Sequence, residues 1–308
     1  MRALIVLNHA ARRHEALRRY ARVRDVVEAG LDGRVVALDA GGAWRRILDA
    51  ALRDGVRLVV AAGGDGTVNA VANALVERAV RVPLEDICFG AVGLGSSNDF
   101  QKPARTVAQG VPIRVGFSDC APRDVARAVW TDEEGIERSR CFVVSASLGA
   151  TAAANRRFSD STAMARALGA LWVDAAIAWA AARTLASHRN VEATMAIGDE
   201  THRFELSNLN VMKTAHLSGS FCYDTPIDPS SGLLGVNLCH GMGRARLLWT
   251  LVSLLRGRFA GLPRTRHWSG DHAEIALAEP GDLELDGELF RARRVRFEVL
   301  REQLMVCS

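Results

Sequence analysis

The segment Ala61-Ala62-Gly63-Gly64-Asp65-Gly66-Thr67-Val68-Asn69 constrains this chain more than any other. It continues the apolar run Leu58-Val59-Val60-Ala61, which reads as a buried strand. It leads into Val68, Val71, Ala72 and Leu75, spaced as one face of a helix. A strand feeding a helix through glycines leaves bare backbone N–H groups and a helix N-terminus where a phosphate can sit. Side chains would block that approach, so glycine is what the geometry needs. Asp65 would repel a phosphate directly; it suits a cation between two anions, or a hydrogen bond to a nucleotide hydroxyl. Taken alone, such a turn is as often a plain strand-to-helix connection.

Ile87-Cys88-Phe89-Gly90-Ala91-Val92 reads as a further buried strand and runs into Gly93-Leu94-Gly95-Ser96-Ser97-Asn98-Asp99-Phe100. Hydroxyl, amide and carboxylate groups gather again at a strand's C-terminal end, the edge where open α/β sheets bind ligands. A third segment, Asp286-Gly287-Glu288, lies between Leu283-Glu284-Leu285 and Leu289-Phe290 and is first of all a hairpin-turn signal. With these segments in this order, the chain resembles the diacylglycerol kinase catalytic domain family, which includes bacterial lipid kinases and sphingosine kinase-like members and has an NAD kinase-like fold. The family pattern is Gly-Gly-Asp-Gly-Thr-x-Asn-Glu, then Gly-Thr-x-Asn-Asp-Phe, then Asp-Gly-Glu. The likeness covers nearly the whole chain.

The 308 residues suffice for one large domain or two ordinary ones with real cores. At 49% hydrophobic residues the composition is that of a soluble globular protein, and no run reaches the roughly 18 uncharged apolar residues of a membrane span. The opening Met1-Arg2-Ala3-Leu4-Ile5-Val6-Leu7-Asn8 has too short an apolar run for a signal peptide and reads as a first strand. A net charge of +4 permits anionic lipid or nucleotide partners; nucleic acid is not expected. Cys88, Cys120, Cys141, Cys222, Cys239 and Cys307 show no metal spacing and read as buried small hydrophobes in a reducing cytosol.

Strands at Leu4–Leu7, Val35–Leu38, Leu58–Ala61 and Ile87–Val92 alternate with helical patterns carried by Leu17, Tyr20, Val23 and Val27, then Trp44, Ile47, Leu48 and Ala51. That alternation predicts a parallel sheet with helices on both faces. Beyond residues 101–125, punctuated by Gly110, Pro112 and Pro122, the pattern changes. Strands are expected at Arg140–Ala146, Val191–Ile197, Arg203–Met212, Leu233–Cys239, Ala273–Ala278, Leu283–Leu285 and Val295–Val299, with helices near Thr162–Ser187 and Arg244–Phe259. The expected class is therefore α/β with two domains, a parallel-sheet one over 1–122 and a mostly antiparallel one over 123–300; the resemblance implies that the first is the nucleotide-binding domain and the second a β-sandwich lipid-substrate domain. The resemblance implies a cleft between them and a return of Arg301–Ser308 to the first domain.

Phosphoryl transfer to an alcohol needs a phosphate cradle, Mg²⁺ to neutralise charge, and a base. The expected nucleotide-binding residues are Gly63, Gly64, Asp65, Gly66, Thr67 and Asn69, with Gly95, Ser96, Ser97, Asn98 and Asp99. Asn8 matches the family's Asn after the first strand. Ser96 replaces the family Thr but keeps the hydroxyl. The resemblance further implies ATP and Mg²⁺ as cofactors, and that the turn puts carboxylates into the cleft. Asp286 or Glu288 then serves as base, and Asp65 organises cation or nucleotide. Departures bear on the nucleotide fit and the lipid head group: His9 for the family Pro, Ala70 for Glu, Leu38 for an ATP-contacting Thr, and Ser147-Leu148-Gly149-Ala150-Thr151 without its acidic residue.

Bacterial members carry a structural Mg²⁺ at an Asp-Gly where this chain has Asp228-Pro229-Ser230-Ser231-Gly232-Leu233. An exchange of carboxylate and hydroxyl would make Asp228, Ser231 and the Leu233 carbonyl ligands; Asp124 matches a family Asp at the domain crossover. A solvated turn without metal is the competing reading. Leu247, Leu248, Trp249, Leu251, Val252, Leu254 and Leu255, flanked by Arg244, Arg246, Arg256 and Arg258, form either a core helix or an interfacial one on an anionic bilayer. The expectation is an ATP- and Mg²⁺-dependent kinase of a diacylglycerol-like or other long-chain alcohol. It would be cytoplasmic, would meet its lipid at the membrane surface, and leaves a homodimer open. The alternatives are an NAD kinase-like enzyme and a catalytically weak nucleotide-binding regulatory protein.

Overall fold

The computed structural model describes residues 2–11, 15–39, 41–79, 82–116, 119–157 and 186–308. The helix expected over Thr162–Ser187 lies outside them except for residues 186 and 187. Strands β1 (Arg2–Leu7), β2 (Asp32–Ala37), β3 (Leu58–Gly63) and β4 (Cys88–Gly93) form a parallel sheet in the order β2-β1-β3-β4. They are connected by helices α1 (Ala16–Val27) and α2 (Ala43–Arg53), and α3 (Asp65–Val76) follows β3. β3 and β4 are buried at every position, so they read in sequence as unbroken apolar runs. Strand periodicity divides the core into two layers. Ile5, Val60 and Ala62 pack under Ala16, Tyr20, Val23 and Val27 of α1. Leu4, Val6, Val59 and Ala61 pack under Trp44 and Leu48 of α2 and Val68, Val71 and Leu75 of α3. Leu17, expected on the buried face of α1, is exposed, and Ala16 takes its place.

A hairpin of β5 (Thr106–Ala108) and β6 (Val111–Arg114) pairs with β4. The rest is antiparallel: β7 (Ala121–Thr131), β8 (Glu137–Phe142), β9 (Ser145–Gly149), β10 (Val191–Ile197), β11 (Glu200–Met212), the short pair β12 (His216–Leu217) and β13 (Phe221–Cys222), β14 (Leu234–His240), β15 (Thr265–Gly270), β16 (His272–Leu285) and β17 (Glu288–Val306). Helix α4 (Arg244–Leu254) follows β14. The strand expected over Arg140–Ala146 is two strands, because the N–H groups of Val143, Val144 and Ser145 turn to the Asp286 carboxylate instead of a ladder. β7 carried no strand signal because Pro122 sits at its start, where a strand tolerates proline.

β17 crosses between the two regions. It pairs antiparallel with β7, and then Met305 and Val306 pair in parallel with Cys88 and Phe89 of β4. The same crossing corrects the reading of the cysteines as unrelated buried thiols. Cys88 and Cys120 form a disulfide, and Cys307 Sγ lies 3.8 Å from Cys120 Sγ.

In the second region the sheet formed by β16, β9, β11 and β14 has two different faces. Ala146, Leu148, Leu209, Val211, Val236, Leu238, Leu283 and Leu285 pack into an apolar core. On the opposite face stand Ser145, Ser147, Asn208, Asn210, Asn237 and Glu284, all buried. A polar face this deep is costly unless it is paired or faces something polar.

Candidate functional site

The phosphate cradle is built where β3 ends. Gly64 caps α3 in an extended conformation and Asp65 is its first residue. Asn8, at the end of β1, donates through its amide to Thr67 Oγ1 at 2.9 Å. A Cβ on Gly95 would lie 2.5 Å from Gly64 Cα, so the two glycine loops touch through bare backbone and neither position accepts a side chain. A Cβ on Gly66 would meet nothing within 4 Å, which leaves the helix N-terminus open to a ligand. Asn98, in the left-handed region at φ 50°, closes its loop with the Gly95 N–H at 3.0 Å and the Gly95 carbonyl at 3.1 Å. Asp99 is buried and accepts from the Gly219 N–H at 3.0 Å and from Lys102 Nζ at 2.7 Å. Ser96 and Ser97 line the adjoining cavity.

Asn69 departs from its expected role. It is fully buried and turned toward the second region, donating to Cys141 O at 2.8 Å and to Asp286 Oδ2 at 2.9 Å. Its carbonyl oxygen accepts from Asn73 and from Arg140 Nε. With its amide fully engaged, it joins the two halves of the molecule and has nothing left for a nucleotide.

The Asp286-Gly287 turn is a two-residue hairpin with positive φ at both positions. Its carboxylate differs from the expected free base. Oδ1 accepts from the N–H groups of Val144 and Ser145, and Oδ2 from Asn69 Nδ2 and the Val143 N–H, at 2.8–3.0 Å. Burial pushes this carboxyl up, and the N–H donors pull it back. Four donors leave it no lone pair for a substrate proton. Glu288 is held by Arg140 at 2.5 Å outside the cavity, which removes it as the base as well.

Asp65, Asp99 and Glu284 line, together with Asp286, a cavity of about 650 Å³. Asp65 accepts from the Phe100 N–H at 3.0 Å, and burial, then the neighbouring Asp99, raises it to about 6. Glu284 carried no motif signal beyond the alternation Leu-Glu-Leu-Asp, which puts it on the same face as Asp286. Its Oε1 accepts from the Gly287 N–H at 2.6 Å, while Oε2 is buried without a partner. Burial raises it to about 7, against the opposing pull of the Ser147 hydroxyl and the Gly287 N–H. The cavity runs from Asp65, Ser96 and Ser97 past Glu284 and Asn210 to a wall of Leu217, Phe221, Tyr223, Leu247, Leu251 and Leu254. One end is polar and next to the cradle; the other is apolar and enclosed by α4 and the β12–β13 pair.

The expected ion site at Asp228, Ser231, Leu233 and Asp124 is replaced by an ammonium group. Lys213, fully buried at the end of β11, places Nζ 2.7 Å from both Asp124 Oδ2 and the Leu233 carbonyl. The Gly232 N–H donates to the same Asp124 oxygen at 2.7 Å. Asp228 instead caps its own loop, accepting from the Ser230 N–H and hydroxyl. A lysine ammonium thus fills the place where an Mg²⁺ would have to sit, so these residues do not fit the ion. Among the described residues no group of three or more His, Cys, Asp or Glu could hold a metal. Sequence gave no cue to Lys213, which simply follows the last apolar residues of a strand.

Helix α4 is core on one face and carries exposed apolar side chains on the other. Leu247 and Leu254 are buried, whereas Leu248, Trp249, Val252 and Leu255 are exposed, Trp249 by 49%. No described helix is long and apolar enough to cross a membrane.

Comparison with known proteins accords with this geometry. Residues 2–112 match the diacylglycerol kinase catalytic domain, and residues 144–308 match the YegS C-terminal NAD kinase beta sandwich-like domain. The chain is 33% identical over 128 residues to a "Probable lipid kinase YegS-like" of Klebsiella pneumoniae (strain 342), covering 41% of this chain and 40% of that protein. It is 33% identical over 102 residues to a protein of the same name from Enterobacter sp. (strain 638), covering 33% of this chain and 32% of that one. The alignments therefore span less than half the length of these relatives. The crystal structure of a diacylglycerol kinase from Bacillus anthracis str. Sterne superposes with a TM-score of 0.65 at 14% identity, covering 99% of this chain and 96% of that one, a likeness of fold. From the two matched domains, the chain belongs to the YegS-like, diacylglycerol kinase-type lipid kinase family.

Proposed function

We propose that this protein transfers the γ-phosphoryl group of ATP to a hydroxyl of a long-chain lipid alcohol. The observation that carries the reading is one cavity in which Asp65 at an open helix N-terminus, the half-satisfied Glu284 carboxylate and an apolar wall follow one another. The Gly64–Thr67 turn holds the phosphates through backbone N–H groups, with Thr67 positioned by Asn8. The carboxylates of Asp65 and Asp99, which line one cavity, fit a site that takes a divalent cation with its nucleotide, because a cation relieves the repulsion that, after burial, raises Asp65. Mg²⁺ bound with ATP supplies neutralisation of the charge on the transferring group, and Asp99 would hold it through water. Asp65 takes the proton of the lipid hydroxyl. It stands at the first residue of α3 and lines the cavity, and its value of about 6 leaves it ionised at neutral pH. Asp286 and Asn69 fix the relative position of the two halves.

The exposed Leu248, Trp249, Val252 and Leu255, beside Arg244, Arg246, Arg256 and Arg258, dock the protein on an anionic bilayer from the cytoplasmic side. The acyl chain then passes inward along the buried face of the same helix. The test is incubation of the purified protein with γ-labelled ATP, Mg²⁺, vesicles of neutral or anionic lipid carrying candidate alcohols, and separately NAD. Label in a lipid, increased by anionic vesicles, is the expected result. Label in NADP instead would replace the reading with the NAD kinase one, and no transfer to any alcohol would leave a nucleotide-binding protein. Replacing Leu248 and Trp249 together by Ser should lower the vesicle-bound fraction by about tenfold or more, since each large side chain contributes roughly 1.5–3 kcal/mol when buried.

A further inference from the structure

Three sulfurs meet where β4, β7 and β17 come together, away from the cavity. Cys88 opens β4, Cys120 immediately precedes β7, and Cys307 immediately follows β17. The β7–β17 ladder ends on the rung Ala121–Val306, so Cys120 and Cys307 are the next opposed pair. Cys88 pairs with Met305 on the other side of β17. With a side-chain period of two, this register turns all three cysteines to one face. Cys88 and Cys120 are joined, and Cys307 Sγ stands 3.8 Å from Cys120 Sγ. Cys307 is fully buried, so what its sulfur meets is the disulfide and not a reagent in solvent. Cys120 is half-buried.

We propose that Cys88, Cys120 and Cys307 form a thiol–disulfide exchange centre that moves one covalent tie between β4 and the end of β17. The Cys307 thiolate attacks Cys120 Sγ, and the Cys307–Cys120 bond forms as the Cys120–Cys88 bond breaks. Cys88 leaves as a thiolate and takes up the proton that Cys307 released. The electrons balance within the three sulfurs, so the step needs no external oxidant or reductant. Directly opposed residues on antiparallel strands have Cα atoms about 4.5–5.5 Å apart, inside the roughly 4.4–6.8 Å that a disulfide spans. The 6.3 Å between the Cα atoms of Cys88 and Cys120 is inside it too, so either bond closes on the same backbone. Burial holds the Cys307 thiol above its ordinary value, while backbone N–H groups and the Arg114 guanidinium oppose that rise. Arg114 is available to the thiolate: it donates to the carbonyls of Gln101 and Pro103, and its Nε has no partner. One tie restrains β4, which leads into the 93–99 loop; the other restrains the strand that returns from the second region.

The test traps the thiol that exchange releases. The protein, purified without reductant, is treated with oxidised glutathione to complete the disulfide, desalted, and held folded with iodoacetamide at about pH 8.5, where thiolate forms. Within hours, the timescale of uncatalysed disulfide rearrangement, Cys88 should become alkylated. Peptide mapping should then show the Cys120–Cys307 linkage in place of Cys88–Cys120. In Cys307→Ser and Cys307→Ala, labelling of Cys88 should be lost and the Cys88–Cys120 linkage kept, while the half-buried Cys222 is labelled as in the parent. Cys88→Ser treated with oxidised glutathione should form Cys120–Cys307 directly. The proposal is overturned by a parent in which Cys88 stays unlabelled, by equal labelling in the Cys307 variants, or by a Cys88→Ser protein without the new linkage. Linkages that draw in Cys141, Cys222 or Cys239 overturn it as well, because they mark exchange in unfolded chains, and so does a parent that stays fully reduced in oxidised glutathione. None of these outcomes touches the kinase reading.

Discussion

Asp124 and Glu284 are carboxylates buried to nearly the same depth, 4% and 3% exposed, and they have opposite surroundings. Asp124 meets an ammonium and a backbone N–H in a sealed site that also ties the 228–233 loop to β7. Glu284 has one oxygen satisfied and one aimed into a cavity. The fold neutralises a buried charge where it ties elements together and leaves one incomplete where it lines a cavity. Asp286 belongs with Asp124, since its four donors make it a joint between the halves, and Asp65 belongs with Glu284. Proximity to a motif therefore does not tell a reacting carboxylate from a structural one, but the count of donors does.

The comparison breaks first at Asp65. Asp65→Asn should reduce phosphoryl transfer by about 10²–10⁴-fold with circular dichroism unchanged, the contribution typical of a general base. In the parent, kcat/KM should fall as pH drops through about 6, where Asp65 takes up its proton. Turnover near that of the parent would move Asp65 to the scaffold class.

Next in size is Lys213→Ala. Leaving Asp124 buried without its cation should cost about 3–5 kcal/mol in urea unfolding, the usual loss when one partner of a buried pair is removed. A loss below about 1 kcal/mol would mean that water or an ion replaces the ammonium.

Glu284→Gln should do the reverse and stabilise the protein, in a pH-dependent way. The folded carboxyl is raised from the usual 4.5 to about 7, so the folded state holds a proton that the unfolded chain has released. Its stabilising effect is complete below pH 4.5 and is lost as pH rises through 7, which at pH 8 amounts to about 3 kcal/mol. Glu284→Gln should therefore raise the melting temperature at pH 8 and leave it unchanged near pH 4.5. An equal effect at both pH values would show that the oxygen has found a partner.

The smallest effect sharpens the contrast from the other side. Without nucleotide, millimolar Mg²⁺ should not shift the melting temperature measurably, because Lys213 already fills the place of an ion. A rise of several degrees that disappears in Asp228→Ala would restore the metal site.

The sequence by itself determined the class of the fold and the place of the cradle. Both are local: the apolar runs of β3 and β4, the spacing of α3 and the glycines between them are written within about a dozen residues, and backbone sterics turns them into a strand, a turn and a helix N-terminus. The Asp-Gly turn was equally legible as a hairpin. Tertiary structure decided what the polar residues do. Asp286 meets Val143 and Asn69, Lys213 meets Asp124, and Cys120 meets Cys88 and Cys307, across separations that no periodicity encodes. Glu284 faces a cavity only because β9 and β11 lie beside it and α4 lies over it. Whether a buried carboxylate is scaffold or site depends on how many donors reach it, and those donors come from parts of the chain that only folding brings together.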